Sequence, residues 1–381
     1  MNVLIIPSWY PNGKDMLMGV YHKEFCESLI NYQNIKANML FIERERLNNP
    51  IKYLLMKKDY IIKENGYKTY VKRMLNVEKI NFDLQIKHYV KALEKAFKKY
   101  LKENPKPDIL HAEVTIPAGY ATCVLGKKYN IPVIVTEHAS YYKDFFKGKN
   151  KKYTEYVLKH AYYTSVSKYM LKDLPAYVTK KKVIPNLVDT EIFKQKRKKI
   201  KGLRLVSVCA FRKGKRIEDL LSALRVLIDK YKMKDVFLTI VGNGYLKEFY
   251  EKKCQELSLE NYVNFVGRKS KKEIAQILNE NNIFVITSTT ETFCIPGIEA
   301  LASGMPVVST KCFGPEEYID EKNGKLVEVG NIAEISSAIV NVYENIDQYD
   351  INYLRNTADQ YSAKNVTEKA LEIYQEMIRK D

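Results

Sequence analysis

The sequence lacks any apolar run close to the roughly 20 residues that a membrane-spanning helix requires. Runs such as residues 3–6 and 284–286 are far shorter. The N-terminal stretch also lacks the basic leader of a signal peptide, and it continues directly into Pro7, Ser8 and Trp9. We therefore predict a first buried strand at the N-terminus, no transmembrane helix and a cytoplasmic location.

Closely spaced cysteines are also absent. None of the thiols has a second cysteine or a group of histidines nearby in sequence, which predicts neither a zinc site nor a disulfide framework. We expect them to be reduced, and most of them to pack as small core residues. The cysteines are Cys26, Cys123, Cys209, Cys254, Cys294 and Cys312.

Low-complexity tracts are missing too, and 46% of the residues are hydrophobic, so we expect the chain to fold throughout. Its 381 residues suit two domains of ordinary size. The net charge of +18 creates a field that can attract phosphates, anionic lipids or nucleic acids. The sign alone does not choose among these partners, and a lysine-rich composition that serves only solubility explains it equally well.

Short β-like runs alternate with amphipathic helical runs in both halves, which predicts an α/β fold of parallel sheets covered by helices. A helix is predicted at residues 83–103. The strands predicted in the first half are residues 3–6, 38–42, 108–112, 132–138 and 162–167. Those predicted in the second half are residues 203–210, 236–241, 263–266, 283–287 and 306–309.

The highly basic run at residues 194–199 marks the predicted boundary between the domains. Self-repulsion and hydration of these side chains favour an exposed linker within residues 191–202. We therefore predict an N-terminal domain at residues 1–195 and a C-terminal domain at 200–362. The last amphipathic segment, residues 363–381, can pack on either domain.

The most informative stretch is STTETFCIPGIEALASGMPVVST, residues 288–310, where a predicted strand gives way to a turn and a helix. Such a junction presents unpaired backbone N–H groups and a positive helix end, which suits an anion. Glu291 and Glu299 can flank one ligand there, because carboxylates accept hydrogen bonds from sugar or ribose hydroxyls. Taken alone, two such glutamates are more often a helix cap and a solvated helix residue.

At this point the sequence resembles the retaining glycosyltransferases of family four, and the resemblance covers nearly the whole chain. In that family, two glutamates separated by seven residues are followed by an Ala-x-x-x-Gly-x-Pro-Val-Val run, which this chain matches with Ala300, Gly304, Pro306, Val307 and Val308. Further segments resemble the family in the same order: PSWYPNGKDMLMGVYHKEF, DILHAEVTIPAGYA, PVIVTEHAS, IPNLVDTEIF, VGNGYLKEF and VNFVGRKSKKEI.

The resemblance implies the GT-B fold, in which two doubly wound, Rossmann-like domains face an interdomain cleft and the C-terminal domain holds a nucleotide-sugar. It places Glu291 beside the donor sugar and its phosphate, and Glu299 on the ribose hydroxyls. The intervening residues that would line the donor are Thr292, Phe293, Cys294 and Ile295. The family usually has Phe-Gly where this chain has Phe293-Cys294, and this departure bears on the choice of sugar.

A departing diphosphate needs fixed positive charge or a metal ion. The segment CAFRKGKRIEDLLSAL resembles the family's basic loop, in which Lys215 matches the lysine and Ala210 stands in place of an arginine. We expect Arg212, or Lys213 beside it, to supply the missing charge; a solvated basic turn is the alternative. Because no two aspartates have Asp-x-Asp spacing, we expect no metal and no other cofactor.

In the N-terminal domain, His138 ends a predicted strand, and such strand ends face the ligand crevice of open α/β sheets. A lone histidine is more often structural, but the resemblance makes His138 the best candidate for contact with the donor sugar. His111 ranks lower, as a supporting or acceptor-side group. Gly19 either lets backbone approach the diphosphate or is a simple turn glycine. Arg268 falls where the family forms its base pocket.

The predicted function is metal-independent, retaining transfer of a sugar from a UDP- or GDP-sugar to a glycan acceptor. The family implies assembly of bacterial surface polysaccharide, such as capsule or lipopolysaccharide, or of glycolipid. The acceptor would be lipid-linked, and the basic helix around residues 87–102 would touch anionic lipid at the inner face of the membrane.

Other functions remain open. They are a phosphorylase or epimerase on a similar fold, a catalytically silent relative that binds sugar nucleotides, and a nucleic-acid-binding protein. Nucleic acid is not an expected partner, because the tyrosines follow helical stripes rather than forming a basic aromatic platform.

Overall fold

The computed structural model describes residues 1–11, 19–46, 50–194 and 200–379. The chain forms two compact units, and each is built around its own sheet. Unit 1 comprises Met1–Pro185 together with Ala363–Asp381, and unit 2 comprises Asn186–Ser362. Both sheets are mainly parallel and carry helices between their strands, so the predicted α/β class is confirmed.

Unit 1 contains an eight-stranded sheet of order β3-β4-β2-β1-β5-β6-β7-β8, in which only β3 runs antiparallel to its neighbour. Its strands are β1 (Asn2–Pro7), β2 (Lys36–Arg46), β3 (Asp59–Lys63), β4 (Lys68–Asn76), β5 (Ile109–Glu113), β6 (Val133–Glu137), β7 (Tyr162–Ser165) and β8 (Lys181–Val183). Its α-helices are α1 (Val20–Gln33), α2 (Pro50–Leu55), α3 (Phe82–Tyr100), α4 (Tyr120–Tyr129), α5 (Lys151–His160), α6 (Lys168–Lys172) and the C-terminal α14 (Ala363–Ile378). A π-turn at Thr115–Gly119 and 3-10 turns at Tyr142–Phe146 and Gly148–Asn150 complete the unit.

The central strands of unit 1 follow from their apolar sequences. Strand β1 lies between β2 and β5 and is buried on both faces, as an unbroken apolar run in a parallel sheet requires. Helix α3 covers the sheet with an apolar stripe that includes Tyr89, Leu93 and Phe97. The side chain of Asn81 accepts a hydrogen bond of 2.9 Å from the N–H of Leu84, which fixes where this helix begins.

Unit 2 contains a six-stranded parallel sheet of order β11-β10-β9-β12-β13-β14. Its strands are β9 (Leu203–Val208), β10 (Val236–Val241), β11 (Val263–Gly267), β12 (Ile283–Ile286), β13 (Val307–Thr310) and β14 (Gly324–Val327). Its helices are α7 (Thr190–Phe193), α8 (Ile217–Asp229), α9 (Lys247–Glu256), α10 (Lys271–Asn279), α11 (Ile295–Ala302), α12 (Ile332–Glu344) and α13 (Ile351–Asp359), with 3-10 turns at Gly314–Glu317 and Ile346–Gln348. The order reverses direction between β9 and β12, which is where doubly wound sheets bind ligands.

The boundary between the units lies after Pro185, earlier than the predicted end of the first domain at residue 195. The N–H of Val188 donates to the carbonyl of Tyr361 at 2.8 Å, and Phe193 is buried. These contacts attach the segment that follows Pro185 to unit 2. The basic run at residues 195–199 lies outside the described residues, so its role as a linker stays a prediction.

None of the helices in the described ranges combines the length and the apolar character needed to cross a membrane.

Candidate active site

Two loops of unit 2 meet at the carboxyl edge of its sheet. They follow the neighbouring strands β9 and β12 and carry Lys215 and Glu291, respectively. The N–H of Thr289 donates to the carbonyl of Gly214 at 2.8 Å, and the hydroxyl of Thr287 donates to the carbonyl of Lys215 at 3.0 Å. The two loops are therefore fixed to each other at the edge where open α/β sheets bind their ligands.

Lys215 and Glu291 form a buried ion pair. The Lys215 ammonium contacts Oε1 of Glu291, and the two side chains are only 12% and 10% exposed. The hydroxyl of Ser288 donates to the same carboxylate oxygen at 2.6 Å. Burial lowers the pKa of Lys215, but the negative charge of Glu291 outweighs this effect and the net shift is upward. Lys215 is therefore a positioned cation at neutral pH.

The backbone of Glu291 is held by the segment that follows β13. Its N–H donates to the carbonyl of Cys312 at 2.8 Å, and its carbonyl accepts from the N–H of Gly314 at 2.9 Å. A Cβ atom on Gly314 would lie 2.6 Å from the backbone of Phe293, so only glycine allows this approach. The backbone N–H and the carbonyl of Glu291 are therefore both held by hydrogen bonds within the protein.

The segment between the two predicted glutamates begins helix α11 in an unusual way. Cys294 precedes the helix with a φ of 70°, a left-handed conformation that glycine adopts more readily than other residues. Its carbonyl accepts a hydrogen bond of 3.1 Å from the hydroxyl of Tyr318. A Cβ on Gly297 would lie 2.2 Å from that hydroxyl, so the first turn of the helix packs directly on Tyr318. Phe293 is buried beside the same ring.

Glu299 lies in the second turn of α11 and is 5% exposed. Glu291 is similarly buried at 8% exposed. The structure therefore excludes the alternative of a cap and a solvated helix residue. Two buried carboxylates at either end of one strand-to-helix junction are instead an arrangement suited to a polyhydroxyl ligand.

The basic residues of the loop after β9 differ in whether their side chains are paired within the protein or exposed. Arg216 is committed to its own helix, since its guanidinium donates to both carboxylate oxygens of Asp219 at 2.5 and 3.1 Å. Arg212 is exposed, as is the neighbouring Ala210 that stands in place of the family's arginine. The backbone N–H of Lys213 donates to the Tyr245 hydroxyl at 3.0 Å, which ties this loop to the one after β10.

Arg268 is exposed immediately after β11, on the same edge of the sheet. The next residue, Lys269, lies 3.1 Å from the carboxylate of Glu273, four positions on. Ser270 and Glu273 form a capping box at the start of α10. Lys269 therefore belongs to the start of this helix, and Arg268 remains the candidate for contact with the base.

In unit 1, the central strands β5 and β6 end in buried polar groups. His138 follows β6, and its Nε2 lies 2.6 Å from Oε2 of Glu113, the last residue of β5. Nδ1 of His22 lies 3.8 Å from the same oxygen, and Nε2 of His111 lies 3.5 Å from the other one. Burial alone would raise the pKa of Glu113, but the surrounding imidazoles lower it to about 2, so the carboxylate is ionised.

His111 has a structural environment. It is fully buried, and its Nδ1 and Nε2 lie 2.6 Å from the Tyr374 hydroxyl and 2.7 Å from the Thr136 hydroxyl. Burial lowers the pKa of this ring. Because both ring nitrogens are engaged inside the unit, this environment favours the supporting role over the acceptor-side role that the sequence left open, and the acceptor-side contact stays a prediction.

Gly19 begins α1 with a φ of 78°. A Cβ atom there would lie 2.6 Å from the carbonyl oxygen of Trp9, so a side chain is excluded by both conformation and space. Residues 12–18, which belong to the same predicted motif, lie outside the described residues.

Comparison with known proteins matches two family models to consecutive parts of the chain. The model for Glycosyltransferase Family 4 matches residues 70–192, and the model for Glycosyl transferases group 1 matches residues 188–360. The chain belongs to the family-four glycosyltransferases. The resemblance inferred from the motifs is thereby confirmed.

This glycosyltransferase is 29% identical over 257 residues to an uncharacterised glycosyltransferase of Methanocaldococcus jannaschii, covering 65% of the chain and 68% of the relative. It is 27% identical over 239 residues to the alpha-monoglucosyldiacylglycerol synthase of Streptococcus pneumoniae, covering 53% of the chain and 51% of that enzyme. The alignment with the second relative therefore spans only about half of each protein.

Two solved structures resemble the chain over nearly its whole length. Sucrose-phosphate synthase from Thermosynechococcus elongatus aligns with a TM-score of 0.77 and 17% identity over 100% of both chains. Anabaena HepE in complex with UDP-glucose aligns with a TM-score of 0.71 and 18% identity over 99% of this chain and 100% of its own. The predicted GT-B fold of this glycosyltransferase is confirmed.

Sequence reasoning missed several groups that this glycosyltransferase brings to its candidate sites. Glu113 lies two residues after His111 on β5, and period-two alternation would have placed both on one face of the sheet. Ser288 and Tyr318 contact the segment that carries Glu291 and Cys294. His22 lies on a helix far from Glu113 in sequence, and no local pattern links the two.

Proposed function

We propose that this chain is a retaining glycosyltransferase that uses a UDP- or GDP-sugar and needs no metal ion. The buried pair of Lys215 and Glu291 is the observation that carries the proposal. It provides a fixed cation at the carboxyl edge of the sheet in unit 2, where a departing diphosphate requires positive charge. The complex of HepE with UDP-glucose favours a uridine nucleotide as the first donor to test.

The residues of unit 2 take distinct roles in this proposal. Lys215 and Arg212 stabilise the leaving diphosphate as the bond between the sugar and its phosphate breaks. Glu299 accepts hydrogen bonds from the ribose, Glu291 and the backbone of residues 292–295 line the sugar, and Arg268 contacts the base. The bonding electrons leave with the phosphate oxygen, the acceptor hydroxyl attacks from the same face, and its proton passes to the leaving phosphate.

In unit 1 the proposed catalytic group is His138. Its Nε2 is held by the ionised carboxylate of Glu113 at 2.6 Å, so the ring has one fixed orientation. The side chain is 9% exposed, which leaves part of the ring accessible. Gly19, at the start of α1, is proposed to give backbone access to the diphosphate.

The acceptor is proposed to be a lipid-linked glycan or a glycolipid. The name of the Streptococcus pneumoniae relative, a monoglucosyldiacylglycerol synthase, supports a lipid acceptor. Helix α3 also presents Lys87, Lys91 and Lys95 on its exposed face, opposite the stripe that packs on the sheet. These lysines are proposed to bind the protein to anionic lipid as a peripheral membrane enzyme.

Calorimetric titration of UDP and GDP in metal-free buffer tests the proposal. We expect one nucleotide to bind to the wild type, and binding to be lost in both Glu299→Ala and Lys215→Ala. Lys234→Ala, which removes an exposed lysine of unit 2, is the matched control and should bind normally. Far-UV circular dichroism confirms that each variant is folded before titration.

The outcomes separate the competing functions. Binding of one nucleotide followed by transfer or slow donor hydrolysis supports the transferase. Binding without any turnover indicates a silent relative. Binding of neither nucleotide by the folded wild type rejects the proposal, and a gel shift of nucleic acid that persists at high salt would then identify the charge-driven alternative.

A further inference from the structure

The three side chains of His22, Glu113 and His138 form a compact group in unit 1, called here the His-Glu-His cluster. One potential ligand atom from each lies within 4.8 Å of the other two. His22 and Glu113 are 2% and 1% exposed, and His138 is nearly as buried. The three residues come from α1, β5 and the end of β6, so the fold and not a sequence motif assembles them.

One atom of the cluster has an unmet bonding requirement. Nδ1 of His22 is buried and has no hydrogen-bond partner among the described residues. It lies 3.8 Å from Oε2 of Glu113, too far for a hydrogen bond. Nδ1 of His22 either points a lone pair at a carboxylate oxygen or holds a proton short of an acceptor, and a bound cation would relieve the first arrangement.

The donor set specifies which cation fits. Two imidazole nitrogens and one carboxylate are ligands that zinc binds with one position left open, whereas Mg²⁺ and Ca²⁺ prefer oxygen ligands. Zinc bonds of about 2.0–2.1 Å place two ligands of a tetrahedral site roughly 3.3 Å apart. Oε2 of Glu113 lies 2.6 Å from Nε2 of His138 and 3.8 Å from Nδ1 of His22, one value shorter and one longer than that distance.

The surroundings hold the cluster in place. The Glu137 carboxylate accepts hydrogen bonds from the backbone N–H groups of His138 at 2.9 Å and Ala139 at 2.7 Å. Nε2 of His111 lies 3.5 Å from the second oxygen of Glu113. Such outer contacts orient ligands in metal sites. His111 itself is no ligand, because both of its ring nitrogens are engaged elsewhere.

We propose that His22, Glu113 and His138 bind one Zn²⁺ ion. The proposal that the reaction needs no metal ion concerns the leaving diphosphate in unit 2. It does not conflict with a zinc site in unit 1. One consequence rests on the proposed function: since His138 is the proposed catalytic group of unit 1, zinc bound to its Nε2 inhibits transfer.

Zinc titration of chelator-treated full-length protein by calorimetry tests the site without nucleotide or activity. We expect one zinc per chain, with affinity at least about hundredfold weaker in His22→Gln and in Glu113→Gln. The double variant His88→Gln/His160→Gln removes the two exposed histidines and should retain full affinity. Co²⁺ should give a visible ligand-field band without intense thiolate absorption, which distinguishes the cluster from a site made by the cysteines.

Thermal unfolding of the wild type keeps the proposal testable if a cluster variant fails to fold. Zinc should raise its melting temperature through preferential binding to the folded state, and Mg²⁺ at the same concentration should not. The proposal is overturned if zinc has no such effect, or if folded His22→Gln and Glu113→Gln bind zinc as tightly as the wild type.

The two proposals fail separately. Zinc binding at the cluster with no binding of UDP or GDP would reject the transferase and leave the metal site intact. Nucleotide binding with no zinc binding would reject the metal site and leave the transferase proposal intact. In an active enzyme, inhibition by zinc should be reversed by EDTA and should be weaker in His22→Gln.

Discussion

The ammonium of Lys215 contacts the carboxylate of Glu291 although 76 positions separate the two residues in the chain. Each residue comes from a loop that leaves the carboxyl edge of the same sheet, and backbone hydrogen bonds join the loops. The pair is buried, so neither charge is stabilised fully by water. Removal of one partner leaves the other charge without compensation, which costs more than the net stability of the intact pair.

Lys215→Met should therefore lower the stability of unit 2 by about 3–5 kcal/mol. Adding Glu291→Gln should restore much of this loss, because the uncompensated carboxylate is then absent. Urea unfolding of the single and double variants measures both effects. Lys247→Met is the control, since its pair with Glu251 is 48% and 42% exposed and should contribute less than about 1 kcal/mol. Equal losses in Lys215→Met and Lys247→Met would contradict the prediction.

The sequence predicted the central strands of both sheets and missed four strands at or next to their edges. Each predicted strand overlaps an observed one. Central strands such as β1 and β12 are buried throughout and read as unbroken apolar runs, whereas β11 was predicted although it is a partly exposed edge strand. Strands β3, β4, β8 and β14 were missed. Their sequences, such as KTYVKRMLN in β4 and KKV in β8, mix lysine and arginine with apolar residues, which weakens the apolar signal. Pairing with a neighbour, not local pattern, makes them strands.

The residues of the candidate sites also divide into those that a local motif predicts and those that only the fold brings together. Lys215, Glu291 and Glu299 could be predicted because each belongs to a contiguous motif that resembles the family. The His-Glu-His cluster could not, since its members come from helix α1, strand β5 and the residue after strand β6, and only the tertiary fold brings them together. Local spacing carries no information on such a contact.

Cys294 should affect the choice of donor sugar more than stability. Cys294→Gly relieves the strain of a left-handed backbone, which is about 1 kcal/mol. Glycine also loses more backbone entropy on folding, by a similar amount, so the free energy of unfolding should change little. Cys294→Ala is the matched control, because it removes the sulfur and keeps the backbone constraint. We expect the ratio of kcat/KM between UDP-glucose and UDP-N-acetylglucosamine to change in Cys294→Gly. An unchanged ratio in both variants would exclude this residue from sugar selection.

The hydroxyl of Tyr374 should fix the C-terminal helix to unit 1. Tyr374→Phe leaves Nδ1 of His111 without its partner at 2.6 Å in a fully buried position, which should cost about 1–3 kcal/mol. Hydrogen exchange of residues 363–378 measures the loosening directly. Tyr353→Phe removes an exposed hydroxyl bond to Asp320 in unit 2 and should leave that exchange unchanged. Identical exchange in all three proteins would show that the bond contributes nothing to docking of α14.

Helix α3 should supply the contact with anionic lipid. Replacing Lys87, Lys91 and Lys95 by glutamine should weaken co-sedimentation with anionic vesicles roughly tenfold to hundredfold, because each surface lysine contributes about 1 kcal/mol near such lipid. Glutamine at Lys230, Lys232 and Lys234 changes the net charge equally on an exposed stretch of unit 2. Equal weakening by both triple variants would attribute binding to overall charge instead of to α3.

Transfer should continue after exhaustive treatment with EDTA, because Lys215 and Arg212 supply the positive charge that a metal ion would otherwise supply to the diphosphate. Release of nucleotide from the donor measures the rate before and after chelation. Arg212→Ala should lower kcat at least about tenfold, and Lys213→Ala should have a smaller effect if Arg212 replaces the arginine missing at Ala210. Added Mg²⁺ or Mn²⁺ should rescue neither variant, since the carboxylate near the proposed phosphate site, Glu291, is already paired with Lys215. Complete loss of turnover in EDTA that Mn²⁺ restores would mean that a metal, and not these side chains, neutralises the leaving group.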